Sequence, residues 1–591
     1  MTPDFSKPIL IWDGECGFCE RYVERWKAWT GERVNYEPYQ TAAVRYPHLT
    51  SEQFQRSAVL IEPDGRVSTG AQAVFRTVAH APPFVKGGVG NWMYERIPGF
   101  AWIAERVYAF IAERRRFFSW LSGWLVGPDV RPATFLLSRD LLLRSLGLIY
   151  VIAFLSLVVQ IPGLVGQEGI LPAEQFLRLV QHRFGADAMS VLPTLAWFNA
   201  SDGFLQGLAI AGACLAALAV FGFTSTATLA VIWGLYFSLF NIGQDFTSFQ
   251  WDTMLLEAGF LGIFLAPFRF LPIRFPSSPP PAVSIWLVRL FLLRFMLGSG
   301  IVKLASGEPA WRNLTALQYH YETQPLPNPL SWYMHQLPGW YHQLSVAAML
   351  VIELVIPFLV LGPRRLRLLA AGAITILQVV IFLTGNYTFF NLLTIVLCIA
   401  CLDDQQLSRI YPKTLAKKIA RAITTPIQNP LQWMFTKVFA AILLPAGILL
   451  LLGQLFSPQA LPRGAQWFLR QLSPFHFVNT YGAFAVMTKQ RIEVVLEGSN
   501  DGAAWLEYEF RYKPGDIHLP PPIVEPHQPR LDWQMWFLPF SSYREQPWIQ
   551  ALALRLLQGS RPVLKLLAKN PFPDRPPKFV RAVSYEYHDA C

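Results

Sequence analysis

The chain has 591 residues, of which 53 % are hydrophobic and 15 % are charged, and its formal net charge at pH 7 is +11. With a mean hydropathy of +0.30, it is too long for one soluble core and too apolar for several, which predicts a membrane protein. Its basic residues form short clusters beside apolar runs without an RNA- or DNA-binding motif around them, so nucleic acid is not an expected partner.

The first motif is the Cys-x-x-Cys pair Cys16 and Cys19, directly after the strand-like run Ile9-Leu10-Ile11-Trp12. A strand-to-helix turn places the two sulfurs one helical turn apart and puts Cys16 near the positive end of the helix dipole, which favours a thiolate. A zinc half-site or a pair of inert thiols is the alternative. Zinc needs four ligands, and no second Cys-x-x-Cys or His pair lies within the first hundred residues, so thiol-disulfide chemistry is favoured and no metal is expected.

An α/β pattern surrounds this pair. Strand-like segments at 34–39, 58–61 and 66–68 alternate with helical segments at 18–30 and 71–78. The pattern predicts a thioredoxin-like α/β domain over residues 1–118, followed by a linker at 119–142.

Four features of this domain form a recognisable set: Asp-Gly-x-Cys-x-x-Cys from Asp13, the turn Pro63-Asp64-Gly65, Gly70-Ala71-x-Ala73, and the basic stretch at 113–116. The set resembles the DCC family of predicted thiol-disulfide oxidoreductases. The resemblance implies a redox-active dithiol, with Cys16, Cys19 and Asp13 as candidate catalytic residues. With the dithiol in the cytoplasm, as predicted below, a cytoplasmic thiol reductant is an expected partner. The chain has no X-Pro before the Ala58 strand, where thioredoxins keep a cis-proline, so we expect substrate docking to differ.

Nine apolar runs predict a polytopic α-helical membrane domain over residues 143–455. They lie near 143–164, 204–222, 224–242, 252–267, 283–303, 344–361, 367–384, 388–402 and 437–455. The first twenty residues carry acids and the dithiol instead of a long apolar core, so we expect the first span, rather than a cleavable signal peptide, to direct insertion.

Basic clusters flank these runs on one side of a nine-span arrangement: residues 114–116, 139, 144, 269, 274, 364, 365, 367 and several between 413 and 437. The positive-inside rule then places the N-terminus in the cytoplasm. We expect a bacterial inner membrane protein whose loop 306–343 and region 456–591 are extracytoplasmic. The basic, partly amphipathic segment 407–425 is predicted to rest on the cytoplasmic leaflet.

Residues 456–591 are predicted to form a β-rich, sandwich-like domain. Segments 492–497 and 505–512 alternate apolar with polar residues around the turn Ser499-Asn500-Asp501-Gly502, which predicts a β-hairpin. A final strand is predicted near 579–587. No residue of this region suggests catalysis.

Six polar motifs occur in the membrane and C-terminal parts: Gln250-Trp251-Asp252, Gly300-Ile301-Val302-Lys303-Leu304, Tyr319-His320-Tyr321-Glu322-Thr323-Gln324-Pro325, Gly385-Asn386-Tyr387-x-Phe389-Phe390-Asn391, Glu497-Gly498-Ser499-x-Asp501-Gly502 and Pro526-His527-Gln528-Pro529-Arg530-Leu531-Asp532. Over about residues 140–588 they resemble the lipase maturation factor family. The resemblance implies an integral membrane factor, located in the endoplasmic reticulum in animals, that assists folding and dimer assembly of secreted lipases. It implies membrane lipids and secreted lipase-type client proteins as partners.

Four ionisable residues lie in or near apolar spans, where a charge is costly and usually faces a cavity or a partner. They are Asp252, Glu257, Lys303 and Glu353. They predict either a polar membrane cavity or structural ion pairs between packed helices, and Lys303 alone is also compatible with an interfacial position. The Lys303 motif is similar, more distantly, to the segment of the vitamin K-dependent carboxylase that carries its catalytic lysine.

Two hypotheses of function follow. In the first, a membrane maturation factor with an attached dithiol module holds clients through its external surface, with Trp311, His320, Tyr321, Glu322, Arg530, Asp532 and Trp533 as candidate client-binding residues. In the second, a membrane redox or carboxylase-like enzyme acts on a lipophilic cofactor or substrate, such as a quinone-like ligand, within the helical bundle. The chain has no Gly-x-Ser-x-Gly elbow, which disfavours a lipase, and no Walker-type loop.

Overall fold

The computed structural model describes residues 6–46, 50–82, 87–127, 129–276, 278–423, 429–516, 518–542 and 544–587. The chain divides into two compact units. The N-terminal unit comprises residues 1–134 with 362–366, and the membrane unit comprises residues 135–361 with 367–591. Each is described below by itself.

The N-terminal unit is an α/β domain around a four-stranded sheet. Its elements are β1 (Ile9–Trp12), α1 (Gly17–Thr30), β2 (Asn35–Pro38), α2 (Tyr39–Ala42), α3 (Ser51–Arg56), β3 (Val59–Ile61), β4 (Val67–Thr69), α4 (Gly70–Ala79), α5 (Gly87–Arg96), α6 (Phe100–Glu113) and α7 (Arg115–Leu125). The strand order is β2-β1-β3-β4, with β1 parallel to β2 and antiparallel to β3. Leu10 and Leu60 are fully buried, because the central strands are covered on both faces. The predicted α/β domain is confirmed.

The membrane unit begins with a long series of helices. They are α8 (Leu136–Leu164), α9 (Ala173–Phe184), α10 (Ala188–Val191), α11 (Asp202–Val220), α12 (Thr226–Ile242), α13 (Gln250–Leu265), α14 (Ala282–Ala305), α15 (Pro309–Arg312), α16 (Leu317–Thr323), α17 (Pro329–His335), α18 (Gly339–Leu354), α19 (Arg364–Thr384), α20 (Phe390–Cys398), α21 (Asp404–Leu407), α22 (Lys413–Ala422) and α23 (Pro430–Leu455). The stretch 119–142, predicted as a linker, includes the end of α7 at Leu125 and the start of α8 at Leu136.

Six helices in the described part of the chain are long and apolar enough to cross a membrane: α8, α11, α14, α18 with its continuation to Leu361, α19 and α23. Three further apolar helices, α12, α13 and α20, fall at the positions of the other predicted spans but are shorter. Nine apolar segments therefore exist, while nine complete membrane crossings stay a prediction. Of the predicted segment 407–425, the part at 413–422 forms α22, and residues 424 and 425 lie outside the described residues.

The apolar helices run back and forth between two ends of the membrane unit. At one end, the carboxylate of Asp404 accepts the backbone N–H groups of Leu136 and Leu137 at 2.9 and 2.7 Å. The same end holds Gln432, which donates to the carbonyls of Phe264 and Ala266. We call it the basic end, because Arg139 and Arg274 lie there beside Leu136, and Arg144 donates to the Val220 carbonyl at the end of α11. The opposite end carries the C-terminal region and is called the sheet end.

Close packing of the first two long helices depends on glycine. A Cβ at Gly147 would lie 3.0 Å from the Ala216 carbonyl oxygen, and one at Gly212 would lie 2.3 Å from the ring of Phe154. Small residues let helix backbones approach each other, which is the usual source of helix association in a membrane.

The C-terminal region contains one four-stranded antiparallel sheet. Its elements are α24 (Arg463–Leu472), β5 (Arg491–Ser499), β6 (Leu506–Phe510), α25 (Arg530–Met535), α26 (Pro547–Leu557), α27 (Arg561–Leu564), β7 (Leu567–Lys569) and β8 (Phe579–Tyr587). The order is β7-β6-β5-β8, and β5 pairs with β8 from Arg491 opposite Tyr587 to Ser499 opposite Phe579. The predicted hairpin and final strand are present. Two facing sheets, as a sandwich requires, are not found among the described residues of this region.

Candidate functional sites: a dithiol and a buried polar seam

The Cys16–Cys19 dithiol lies at the start of α1. Cys16 is the N-cap residue, and its Sγ accepts the backbone N–H of Cys19 at 3.4 Å. The Cys16 N–H in turn donates to the carbonyl of Asp13 at 3.2 Å. Both thiols are free and half-buried. The Sγ of Cys16 therefore lies at the N-terminal end of α1, where the first N–H groups of a helix have no partner within the helix.

The two cysteines have different surroundings. Burial, followed by the hydrogen bond with Cys16, raises the pKa of the Cys19 thiol to about 12. A thiol held neutral is a poor nucleophile until its partner has reacted. Cys16 is thus suited to attack an external sulfur and Cys19 to resolve the resulting mixed disulfide.

Asp13 supports the turn that carries the dithiol. Its Oδ1 accepts the N–H of Glu15 at 3.2 Å and Nε2 of Gln40 at 3.1 Å. Arg115 lies 3.6 Å from Oδ2 and donates to two carbonyls of α3. The geometry places Asp13 beside the dithiol as a residue that shapes the turn.

An apolar cavity of about 640 Å³ opens beside Cys19. Its walls come from α1, α4, α6 and α7 and include Trp26, Phe75, Val107 and Leu121. We call it the dithiol groove. Cys19 lies in its wall, whereas Cys16 does not line it.

In the membrane unit, Asp252 forms a buried ion pair with Arg530. The two side chains are both 0 % exposed, and the guanidinium meets the carboxylate through two contacts, at 2.8 and 2.9 Å. Gln528 donates to the same carboxylate, and the hydroxyl of Tyr236 donates to it as well. A residue of the C-terminal region thus holds the start of α13.

A second buried pair joins Glu257 to Arg294. The carboxylate also accepts the hydroxyl of Tyr481 at 2.9 Å and the N–H of Asn479 at 3.0 Å. These contacts tie the segment at 479–481 to α13 and α14. Satisfying both partners with extra hydrogen bonds is what makes a buried ion pair tolerable.

The third pair is Lys303 with Glu353. The ammonium donates to both carboxylate oxygens at 2.7 Å and to the carbonyl of Ser299 at 3.2 Å. It also lies 5.5 Å from the ring centroid of Trp311, a distance suited to cation–π attraction. The pair links α14 to α18.

The four residues predicted to line one polar cavity therefore form three separate ion pairs. Only Lys303 and Glu353 are brought together, while Asp252 and Glu257 each bind an arginine. The alternative of structural ion pairs between packed helices is the one that the geometry realises.

The residues predicted to bind a client are mostly buried. Trp311, Tyr321, Arg530, Asp532 and Trp533 all lie in the interior. Two of them bond within the protein through their side chains: Trp311 donates to the Phe484 carbonyl, and Asp532 accepts the N–H groups of Tyr512 and Lys513. Burial leaves these side chains little surface for a client, and their role in client binding stays a prediction.

His320 and Glu322 belong to the same contact zone. The hydroxyl of Tyr387 lies 2.8 Å from Nε2 of His320, and Arg491 donates to the carbonyl of Glu322 at 2.7 Å. Arg491 also donates to the carbonyls of Gln324 and Pro325. Strand β5 thereby fixes the loop that follows α16.

Asn386 and Glu525 complete this zone. Asn386 donates to the carbonyls of Pro327 and Pro522 and accepts the N–H of Val524. Glu525 accepts the N–H of Tyr387. Burial raises the pKa of Glu525 to about 9, so its carboxyl group is protonated at neutral pH.

We call the whole zone the polar seam, defined by Asp252, Glu257, Lys303, Asn386, Arg491 and Arg530. A second cavity of about 640 Å³ opens beside it. Aromatic side chains dominate its walls, among them Trp251, Phe484, Trp536 and Phe540. We call it the seam cavity. Its rim includes Val486, 65 % exposed, and Phe540, 51 % exposed.

Comparisons with known proteins identify these parts. The family model described as the lipase maturation factor transmembrane domain matches residues 137–409, and that of the lipase maturation factor C-terminal domain matches residues 477–590. Lipase maturation factor 1 of Bos taurus is 37 % identical over 485 residues, covering 78 % of this chain and 85 % of that protein. The chain belongs to the lipase maturation factor family. It is an integral membrane protein, as its apolar helices and these relatives together show.

Two more relatives agree with this membership. Lipase maturation factor 2 of Homo sapiens is 37 % identical over 565 residues, covering 76 % of this chain and 79 % of that protein. Lipase maturation factor 1 of Mus musculus is 38 % identical over 480 residues, covering 77 % and 83 %. The DCC1-like thiol-disulfide oxidoreductase model matches residues 10–121 of this family member. No solved structure matches the chain.

Several residues in and around the polar seam were missed by reasoning from sequence. They are Tyr236, Arg294, Asn479, Tyr481, Arg491 and Glu525. An arginine inside the apolar run of α14 was an available signal, since such a charge requires a partner. The others are ordinary polar residues whose role depends on the tertiary contact alone.

Proposed function

We propose that this protein is a membrane-embedded factor that assists the folding or assembly of secreted proteins, with lipase-type proteins as its client class. One observation supports this most strongly: relatives named lipase maturation factors share 37–38 % identity with it over about four fifths of their own length. The motifs of the polar seam lie inside the matched regions.

The seam cavity is the proposed place of client contact. Its exposed rim residues, Val486 and Phe540, offer apolar surface beside a wall of aromatic rings. Incompletely folded proteins expose apolar segments, and exposed apolar patches rimmed by polar residues are typical interaction surfaces. The buried residues of the seam hold the cavity wall in place.

The proposed location is a bacterial inner membrane, with the basic end in the cytoplasm and the sheet end outside it. The support is the positive-inside rule applied to Arg139, Arg144 and Arg274. In this arrangement α22, with its lysines and arginine, rests on the cytoplasmic leaflet.

The N-terminal unit is proposed to act as a thiol-disulfide oxidoreductase. The match to the DCC1-like model and the asymmetric environments of Cys16 and Cys19 support this. A cytoplasmic dithiol is kept reduced by cellular thiols and does not directly oxidise a secreted client. It is proposed as an attached redox module.

Deletion of the gene in its own host, with complementation by variants, tests the assistance to secreted proteins. The measurement is the activity of secreted lipases per amount of secreted lipase protein. Deletion should lower this ratio, and the wild-type gene should restore it. An unchanged ratio after deletion would remove lipases from the client class.

Variants of the seam cavity test the place of contact. Val486→Asp with Phe540→Asp should restore the ratio poorly, because two charges oppose burial of an apolar client segment. The control is Leu519→Asp, an equally exposed apolar residue of the same region that does not line the cavity. Equal complementation by both would exclude the seam cavity. Loss only with Lys303→Ala and Glu353→Gln would instead favour an enzyme.

A further inference from the structure

The two cysteines of the dithiol differ in their position relative to the dithiol groove. Cys19 lies in the apolar wall, and Cys16 lies in a turn whose neighbours Gly14, Glu15 and Gly17 are exposed. Cys16 can thus react with a water-soluble thiol or disulfide, while Cys19 can react only with a molecule that enters the groove. Thiol-disulfide exchange with a soluble partner at Cys16 does not use the groove beside Cys19.

The size and lining of the groove favour a small lipophilic ligand with a flat ring. Its volume of about 640 Å³ lies within the range of sites for small molecules. Aromatic rings such as Phe18, Tyr22, Trp26 and Phe75 line it, and such rings prefer stacked or edge-on contacts with another ring. A water-soluble electron carrier would leave its polar groups unpaired against these walls.

Two charged groups, Asp13 and Arg115, stand at the edge of this apolar space, and their side chains lie 3.6 Å apart. Arg115 lines the groove and is held by its hydrogen bonds to the carbonyls of Gln55 and Arg56. A fixed guanidinium is placed to stabilise negative charge that develops on a ligand oxygen. A ligand whose ring oxygens gain negative charge on reduction can bind this guanidinium, whereas an acyl chain has no such group.

The groove belongs to a chain that also spans a membrane. Residues 126–135 connect α7, which forms one wall, to the membrane helix α8. Lipid-soluble carriers are concentrated in the bilayer that such a protein shares.

We propose that the dithiol groove binds a lipid-soluble quinone, which accepts two electrons from the Cys16–Cys19 dithiol. The inference rests on the proposed redox activity of the dithiol and is independent of assistance to secreted proteins. Cys16, as a thiolate, takes the proton of the hydrogen-bonded Cys19 thiol while the Sγ of Cys19 adds to a ring carbon, and this proton then passes to the quinone oxygen that has gained the charge. The thiolate of Cys16 then attacks Cys19, forming the disulfide and breaking the bond from sulfur to carbon. The electron pair leaves with the ring, and the proton lost by Cys16 completes the hydroquinone.

The test uses the full chain in liposomes, reduced with dithiothreitol that is then removed. The probe is decylubiquinone, whose ring carbons are all substituted, so a stable thioether cannot accumulate. The readouts are the loss of quinone absorbance and the loss of Cys16 and Cys19 alkylation, measured by mass spectrometry. Two thiols should disappear for each quinone reduced, at a rate that saturates with quinone.

Two valines of the N-terminal unit provide matched variants. Val107 lines the groove and Val89 does not, and both are about half exposed. Val107→Trp should slow oxidation by decylubiquinone at least tenfold, because the indole fills the groove, whereas Val89→Trp should not. Both variants should react equally with diamide, a water-soluble thiol oxidant. Ala104→Leu, also in the wall, repeats the test if Val107→Trp fails to fold.

Two results would overturn the quinone site. One is oxidation by diamide without oxidation by decylubiquinone, and the other is equal quinone rates in Val107→Trp and Val89→Trp. A dithiol that reacts with neither oxidant would overturn both this inference and the redox role of the N-terminal unit. Secreted lipase activity decides the client proposal separately.

Discussion

At the scale of single residues, the membrane unit is organised by buried charges that find partners far along the chain. Arg530 and Asp252 are separated by 278 positions, yet both are completely buried. Gln528 and Tyr236 add hydrogen bonds to the pair. Desolvation of two ions is costly, so such a pair is stable only while both partners are present. The pair specifies how the C-terminal region meets α13.

Removing one partner of this pair should destabilise the protein strongly. Arg530→Met leaves the Asp252 carboxylate buried without a counter-charge, which costs about 3–5 kcal/mol. The double variant Arg530→Met with Asp252→Leu should recover much of this loss. The measurement is the midpoint of thermal unfolding in detergent. A midpoint unchanged in the single variant would contradict the buried pair.

Glu525 should make stability depend on pH. Its folded pKa is about 9, above the ordinary value, so the folded state binds the extra proton and stability falls as pH rises from about 4.5 to 9. Glu525→Gln should remove this decline. The variant should be more stable than the wild type by about 1–3 kcal/mol near pH 8 and equal to it near pH 5.

Thermal unfolding of the wild type and of Glu525→Gln across this pH range shows whether stability falls or rises with pH. Asp516→Gln is a suitable control, since Asp516 is an exposed acid of the same region. A gain in stability of Glu525→Gln that is largest at low pH would contradict a protonated carboxyl group.

At the scale of elements, helix contacts in the membrane unit are limited by the space between backbones. The hydroxyl of Tyr150 donates to the Leu255 carbonyl at 3.2 Å, and a Cβ at Gly259 would lie 1.8 Å from that hydroxyl. The glycine therefore allows α8 and α13 to pack. Nothing within 4 Å opposes a Cβ at Gly234 of α12.

These two glycines give a matched pair of substitutions. Gly259→Ala should destabilise the protein by about 1–3 kcal/mol through overpacking. Gly234→Ala should be neutral or stabilising by up to about 1 kcal/mol, since alanine is the better helix former. Unfolding midpoints of both variants in detergent provide the comparison. Equal effects would show that α8 and α13 do not pack as described.

Much of the element pattern could be predicted from the sequence because it depends on local periodicity. The strand at Ile9–Trp12, the hairpin around Ser499 and the positions of nine apolar segments all follow from short windows. The partner of Asp252 could not be predicted, because it lies in another region and nothing local distinguishes Arg530 from an exposed arginine. The same limit made Trp311 and Asp532 look like surface residues when they are buried.

At the scale of the whole molecule, the membrane unit has two unlike ends. The C-terminal sheet and the seam cavity lie at the sheet end. At the basic end, Asp404 accepts a hydrogen bond from the first residue of α8. Assistance to secreted proteins requires the sheet end to face away from the cytoplasm. Sidedness is therefore the condition on which the proposed function depends.

Labelling of single cysteines in sealed membrane vesicles measures sidedness directly. The reagent is a membrane-impermeant maleimide, applied to vesicles of both orientations. One variant keeps only Cys16, and the other carries only Ala503→Cys, at an exposed position next to the β5–β6 turn. Cys16 should react only from the cytoplasmic face, and Ala503→Cys only from the opposite face. Reaction of both from the same face would contradict an extracytoplasmic seam cavity and with it the proposed contact with secreted clients.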